Sequence, residues 1–201
     1  MGKASRLRQE RKKERSEFFL AQQYREVATV VLPRFFAANC CLNGTRVFVE
    51  VMRRFGQEAK PIVVNMVVMN TVWKGLMEKS GGWPRNQEQS DAWTTVGGWA
   101  LGVDGQETDE GWPHHLVATL GDVMVDSSAG QASRPKHGII LDNVLVVPFD
   151  GWPCAFSRDT TFVYYDPKPD VKFDDIPGWQ LSPHNLQVAD VVHAMMLERR
   201  K

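Results

Sequence analysis

A chain of 201 residues, 43% of them apolar, is enough for one domain with a real core. Its 24 basic and 24 acidic residues cancel, yet residues 3–15, KASRLRQERKKER, hold seven Lys or Arg against two Glu, leaving the remainder net acidic by five. No run approaches the ~18 apolar residues of a membrane span, no apolar stretch with a cleavage site follows the basic start, and three cysteines make no disulfide framework. The expectation is therefore no membrane, a reducing cytoplasmic setting and free thiols.

Residues 1–26 predict a basic helical arm, solvated in front and docked at the back by Phe18, Phe19, Ala21, Tyr24 and Val27, with Pro33 interrupting or restarting the helix. Residues 27–201 are expected to form a single domain. The clearest helix runs through NCCLNGTRVFVEVMRRFG. Val47, Phe48, Val51, Met52 and Phe55 share one face at a period of 3.6, with Asn39 as N-cap and Gly56 just past the end. PIVVNMVVMNTVW, residues 61–73, is β-branched and continuous, as a buried strand is. Residues 80–94 read as a loop, 96–103 as a short strand and 104–113 as an acidic loop. HHLVATLGDVMVDSS, 114–128, reads as two strands around a Gly121-Asp122 turn. Strands are expected at 143–149 and 160–166. Ser182-Pro183 opens a last helix with an apolar stripe through Leu186, Ala189, Val192 and Met196. Helix first, sheet in the middle and helix last predict an α+β fold.

If Asn39 caps its helix, Cys41 lies in the first turn. There the helix dipole and unsatisfied backbone N–H groups favour a thiolate and can face a developing oxyanion. Packing alone accounts for many helical cysteines equally well. A nucleophile needs a base and the base an orienter. With Gly121-Asp122 as the turn, Leu120 pairs with Val123, Ala118 with Val125 and Val117 with Asp126. His115, Val117 and Asp126 then share a face, with His115 and Asp126 diagonal neighbours roughly 7–8 Å apart at the backbone. The carboxylate can hold the imidazole in place, as in a hydrolase triad. A one-residue slip would separate them. No Cys-x-x-Cys or His-x-x-x-His spacing is present, and adjacent cysteines point about 100° apart on a helix, so neither metal nor cofactor is expected. Trp99 and Trp112 flank the acidic loop and are candidates to wall a cleft. Gln131, Ser133 and Arg134 follow Asp126, in a loop that suits either a substrate site or a plain turn. Cys154 reads as structural.

A helix-starting Cys, then a strand-borne His, then an Asp on the next strand is the order of the papain-like fold in its transglutaminase-like and arylamine N-acetyltransferase-like branch. CLNGTRVFVEVMRRFGQEAKPIVV is similar to that family's Cys-helix and following strand, and HLVATLGDVMVDSSAGQASRP to its His-strand, turn and Asp-strand. Both stretches more closely resemble small bacterial and phage proteins with a Cys-x-x-x-Thr-Arg helix and an Asp-x-Ser/Thr-x-x-Gln-Ala-Ser-Arg-Pro loop. The resemblance spans roughly residues 39–180. It implies a transglutaminase-core fold, a nucleophile helix on an antiparallel sheet, with Cys41 rather than Cys40 as nucleophile, His115 rather than His114 as base and Asp126 as orienter. Leu42 and Leu116 depart from it, standing where transglutaminases carry aromatic residues. Asn39 or the backbone N–H of Cys41 takes the place of the oxyanion side chain. Asn39, Trp112 and Gln131 are the expected substrate contacts.

The function so implied is a thiol hydrolase or acyltransferase acting on an amide or ester carbonyl of a peptide, protein or small acyl substrate. The contrasting expectation is a non-catalytic binding or structural protein on the same scaffold, phage-associated. Its contact surfaces would be the basic arm, the Trp-rich loops and the last helix. The arm is read as solubilising or docking rather than as a binder of nucleic acid or an acidic partner, because no basic-and-aromatic groove accompanies it.

Overall fold

The computed structural model describes residues 3–36, 41–103, 114–175, 179 and 182–200, and of residues 3–15, 103 and 175 the backbone alone. Helix α1 spans Lys3–Phe35 without a break, with Pro33 inside its last turns rather than at a boundary. The helix enters the core at Leu20, and Ala21, Tyr24, Val27 and Ala28 are fully buried. Helix α2, Cys41–Arg54, buries Val47, Phe48, Val51 and Met52. Gly56 closes it at φ +71°, with Gly56 and Gln57 donating to the carbonyls of Arg53 and Met52.

Strand β1 is Lys60–Asn70, and it stops short of the expected Trp73. Asn70 turns the chain into helix α3, Thr71–Ser80, by accepting from the Trp73 N–H as an N-cap. The cap overrides the β-branched run Thr71-Val72. The stretch expected as a loop holds a second short helix, α4, Gln87–Thr95, capped in the same way by Asn86. Then come β2 (Ala100–Val103), β3 (His115–Leu120), β4 (Val123–Asp126), β5 (Leu145–Pro148), β6 (Cys154–Arg158), β7 (Thr161–Pro167) and α5 (Pro183–Glu198). Strand β6 was not expected; it pairs with β7 across a two-residue turn at Asp159 and Thr160. Helix α5 begins as predicted, Ser182 accepting from the Asn185 N–H with Pro183 behind it. No helix among the described residues is long and apolar enough to cross a membrane.

The seven strands form one sheet, ordered β5-β4-β3-β1-β7-β6 with β2 also on β1, and every pairing is antiparallel. Among the described residues this gives a mixed α and β fold of five α-helices on an antiparallel, nearly closed sheet. One face carries Ala118, Leu120, Val123, Val125 and Val146 against α1, α2 and α5. The other face, the inside of the curl, gathers Val64, Met66, Val117, Met124, Val147, Val163 and Tyr165. Strand β3 is buried on both faces, which explains why its sequence is apolar without alternation.

Candidate active site

The β3–β4 hairpin has the register read from its sequence: Leu120 opposite Val123, Thr119 opposite Met124, Ala118 opposite Val125. One further step puts Asp126 opposite Val117 and makes His115 its diagonal neighbour. The two side chains close that diagonal, His115 Nε2 lying 2.8 Å from Asp126 Oδ2. Asp126 is fully buried and His115 nearly so.

Two further residues, absent from the sequence reading, complete the carboxylate's shell. The Tyr165 hydroxyl donates to Oδ2 at 2.9 Å, and the Ser128 backbone N–H donates to Oδ1 at 2.9 Å with its hydroxyl 3.3 Å away. Ser128 had a readable signal, because an Asp commonly bonds the backbone two residues on. Tyr165 had none. It lies on β7, three strands from β4, a separation of about 14 Å on a flat sheet, and it reaches Asp126 only because the sheet curls.

The sulfur comes from the other face. Cys41, partly exposed at the first turn of α2, packs with Leu42 against Val63 and Leu116. Leu116 alternates with His115 along β3, so sulfur and ring approach each other around the strand's N-terminal end, where Cys41 helps to raise the His115 pKa. With Nε2 engaged by Asp126, Nδ1 is the ring nitrogen left for the thiol. The helix is pinned at this height through two adjacent residues, Gly44 and Thr45. Thr45 Oγ1 donates to the Leu116 carbonyl at 3.0 Å. Tyr24 of α1 donates to the Gly44 carbonyl at 3.3 Å, and its hydroxyl lies 3.2 Å from Ser127 Oγ. Gly44 allows this approach, since a Cβ there would stand 2.9 Å from Ser127 Cβ. Thr45 of the Cys-x-x-x-Thr-Arg motif thus ties the helix beside His115.

The electrostatics follow from this shell. Burial pulls the His115 ring down, but the charge and hydrogen bond of Asp126, joined by the bond to Cys41, outweigh it and push its pKa up to about 10. Burial pushes the Asp126 carboxyl up. The charge and hydrogen bond of His115, with the donors from Ser128 and Tyr165, more than offset that and hold it below its ordinary value. Tyr165 is pushed well above the usual phenol value by burial and by Asp126, so it remains a neutral donor. At neutral pH these shifts favour imidazolium and carboxylate, with the Cys41 sulfur beside the ring.

The remaining candidates lie as follows. Asn39 and Trp112 fall outside the described residues, as do Cys40 and the acidic loop 104–113. Val103 pairs with Met66 and His115 with Val64, so that loop leaves and rejoins the edge of β1 beside His115. Gln131 sits in the 3-10 turn Ala129–Ala132 and lines a cavity of about 210 Å³ with Ser127, Ser128 and residues of α1. The bonds to Asp126 come from His115, Tyr165 and Ser128 instead. Ser133 and Arg134 hold their own loop, Ser133 Oγ accepting from the Leu141 N–H and Arg134 donating to the carbonyls of Gln131 and Ser133. Trp99 stacks on His137 at 4.5 Å. Cys154 is buried on β6, its thiol pushed up by burial and by Asp150. No group of three or more His, Cys, Asp or Glu among the described residues is placed to hold a metal ion. No family model, curated protein or solved structure matches the chain.

Proposed function

We propose that the chain is a cysteine-dependent hydrolase or acyltransferase with a papain-like arrangement of its nucleophile helix and sheet. The observation that carries this reading is the 2.8 Å bond between His115 and a fully buried Asp126, with the Cys41 sulfur close enough to act on the same ring. A salt bridge serving stability alone gains little from burial. Here the buried pair ends on a partly exposed sulfur, which is where a charge-separated resting state is useful.

The steps follow from the geometry. The proton of the Cys41 thiol resides on His115 as an imidazolium that Asp126 balances, which leaves the sulfur as the nucleophile. The sulfur of Cys41 attacks a carbonyl carbon of an amide or ester, and the charge on oxygen is met by backbone N–H groups in the first turn of α2. The tetrahedral species collapses as His115 protonates the departing amine or alcohol, leaving a thioester on Cys41. Water or an amine then attacks that thioester, losing its proton to His115, and the thiol is released. Peptidase, amidase, deamidase and acyltransferase chemistry all use these steps. A non-catalytic role on the same scaffold remains the contrasting reading. It predicts that Cys41→Ser leaves the protein's biological effect intact.

The test is labelling. Iodoacetamide at neutral pH should alkylate Cys41 far faster than Cys154, and Cys41→Ala should abolish the fast phase. Equal rates at the two thiols would remove the proposal. An acyl adduct on Cys41, identified by intact mass, would name the substrate's acyl group.

A further inference from the structure

One charged side chain close to the thiol is not accounted for by the triad. Arg46, two residues beyond Gly44 of the tight helix contact, is 8% exposed. Its guanidinium lies over the Trp179 ring, 4.3 Å from the centroid. A guanidinium carries five N–H donors, and none of them meets a hydrogen-bond acceptor among the described residues. The nearest carboxylate, Glu50, is already spent. It accepts from Arg53 Nε and Nη2 and from Arg54 Nε, which draws its pKa down to about 2. Asp190 takes a further nitrogen of Arg54. Arg46 feels the charge of Glu50 and lies on Trp179, but makes no hydrogen bond to a carboxylate among the described residues. Its donors open onto a groove, where a ligand can supply the acceptor.

Arg46 faces open space. A groove of about 650 Å³ runs between α2 and the start of β1, lined by Arg46, Val49, Pro61, Ile62, Phe173 and Trp179. Glu50, Glu58 and Lys60 also line it, with Glu50 held by Arg53 and Arg54 and Glu58 offset by Lys60. Its aromatic wall, Phe173 against Trp179 at 5.0 Å, is the same pair that packs with Cys41 over Val63 and Leu116. The wall therefore connects sulfur and guanidinium. Five residues of helix place their Cα atoms about 7.5 Å apart along the axis, the reach of about two extended peptide residues. Five residues also turn the helix so that the two side chains leave it about 140° apart, and Trp179 is what lies against both flanks.

We propose that this groove is a substrate subsite of the Cys41 thiol and that Arg46 receives a carboxylate there, so that the chain acts on acidic peptides. The proposal rests on the thiol reading above and adds its substrate class. The apolar walls take the aliphatic part of a Glu-like side chain. The fork of Arg46 takes the two carboxylate oxygens, a match that a lysine does not reproduce.

Two alkylating probes test it: N-iodoacetyl-glutamic acid α-amide and its glutamine counterpart, which differ by one carboxylate. In each case the sulfur displaces iodide, an S–C bond forming as the C–I bond breaks. The acidic probe should modify Cys41 about tenfold faster, the scale of one charge-assisted hydrogen bond, and high salt should narrow the difference. Arg46→Met should bring the ratio of the two rates close to one. Should that variant fail to fold, Arg46→Lys keeps the charge without the fork and should still reduce the ratio. Equal rates with the unaltered protein, or a preference that survives at Arg46→Met, would overturn the subsite. A second arm separates it from the thiol reading. In Cys41→Ser, N-acetyl-glutamic acid α-amide should shift the Arg46 Nε–H resonance, and the glutamine analogue should not. If neither alkylating probe labels Cys41 but that shift is seen, the anion site stands and the nucleophile proposal is what fails.

Discussion

Asp126 is the residue on which the site's electrostatics turn. Four donors converge on its two oxygens, from His115, Tyr165 and Ser128, within a fully buried setting. Asp126→Asn removes the charge that does most to hold His115 up, leaving burial opposed chiefly by Cys41. The His115 midpoint, followed by proton NMR, should fall from about 10 to below the ordinary histidine value, and iodoacetamide labelling of Cys41 at neutral pH should slow at least tenfold. Tyr165→Phe is subtler. It removes one donor and leaves a buried carboxylate oxygen less satisfied, at a cost of about 1–3 kcal/mol in chemical denaturation. His115 and Asp126 were both legible in the sequence, because a two-residue turn sets hairpin register and register sets the face. Tyr165 was not legible, because a contact between β7 and β4 depends on how a whole sheet curls.

At the scale of elements, the question is what holds α2 at the height where its first turn meets His115. Gly44 gives a test whose sign is informative. In an isolated helix, Gly→Ala stabilises by about 1 kcal/mol. Here the new Cβ would stand 2.9 Å from Ser127 Cβ and also close to the Ser127 carbonyl, so the helix must move off the β4 end. Gly44→Ala should therefore destabilise the fold and slow Cys41 labelling together. Higher stability with unchanged labelling would show that the close approach is not what sets the site. The short helices α3 and α4 teach a related point. Both were missed because a β-branched run and a polar stretch were read by composition, while Asn70 and Asn86 began helices by capping. Asn70 does more than cap. Its Oδ1 accepts from Trp73 and Trp99 N–H, and its Nδ2 donates to the carbonyls of Gly97 and His137. Asn70→Ala should cost more than the ~1 kcal/mol of an ordinary cap, measurable as a lower urea midpoint.

For the whole molecule, the buried pair makes stability depend on pH. The folded pKa of His115 is raised, so its contribution is full below about 6.5, the unfolded value, and is lost as pH rises through about 10. Asp126 is depressed, so its contribution is present above about 3.9, its unfolded value, and is lost as pH falls through the lower folded value. The two describe one coupled interaction, counted once. The melting temperature should thus decline between pH 7 and pH 10, and Asp126→Asn should flatten that decline. A decline of the same slope in the variant would assign the pH dependence to other groups. The basic start of the chain belongs to this scale too. From Leu20 onward α1 is core, packed on α5 and the sheet, and Tyr24 touches both Gly44 and Ser127. The helix that begins as a charged arm therefore also braces the site.

Read alone, the sequence determined the features that depend on near neighbours: the amphipathic α2 with Gly56 at its end, the capped α5, the β3–β4 register and, through that register, the shared face of His115 and Asp126. Each rests on backbone geometry repeating over a few residues. Tertiary structure decided the rest. It brought Tyr165 across three strands, fitted Gly44 against Ser127, hung Thr45 from the Leu116 carbonyl and laid Arg46 over Trp179 beside an open groove. Those contacts join residues far apart in the chain. Their distances are set by how the sheet coils and how closely helices approach it, which no local pattern encodes.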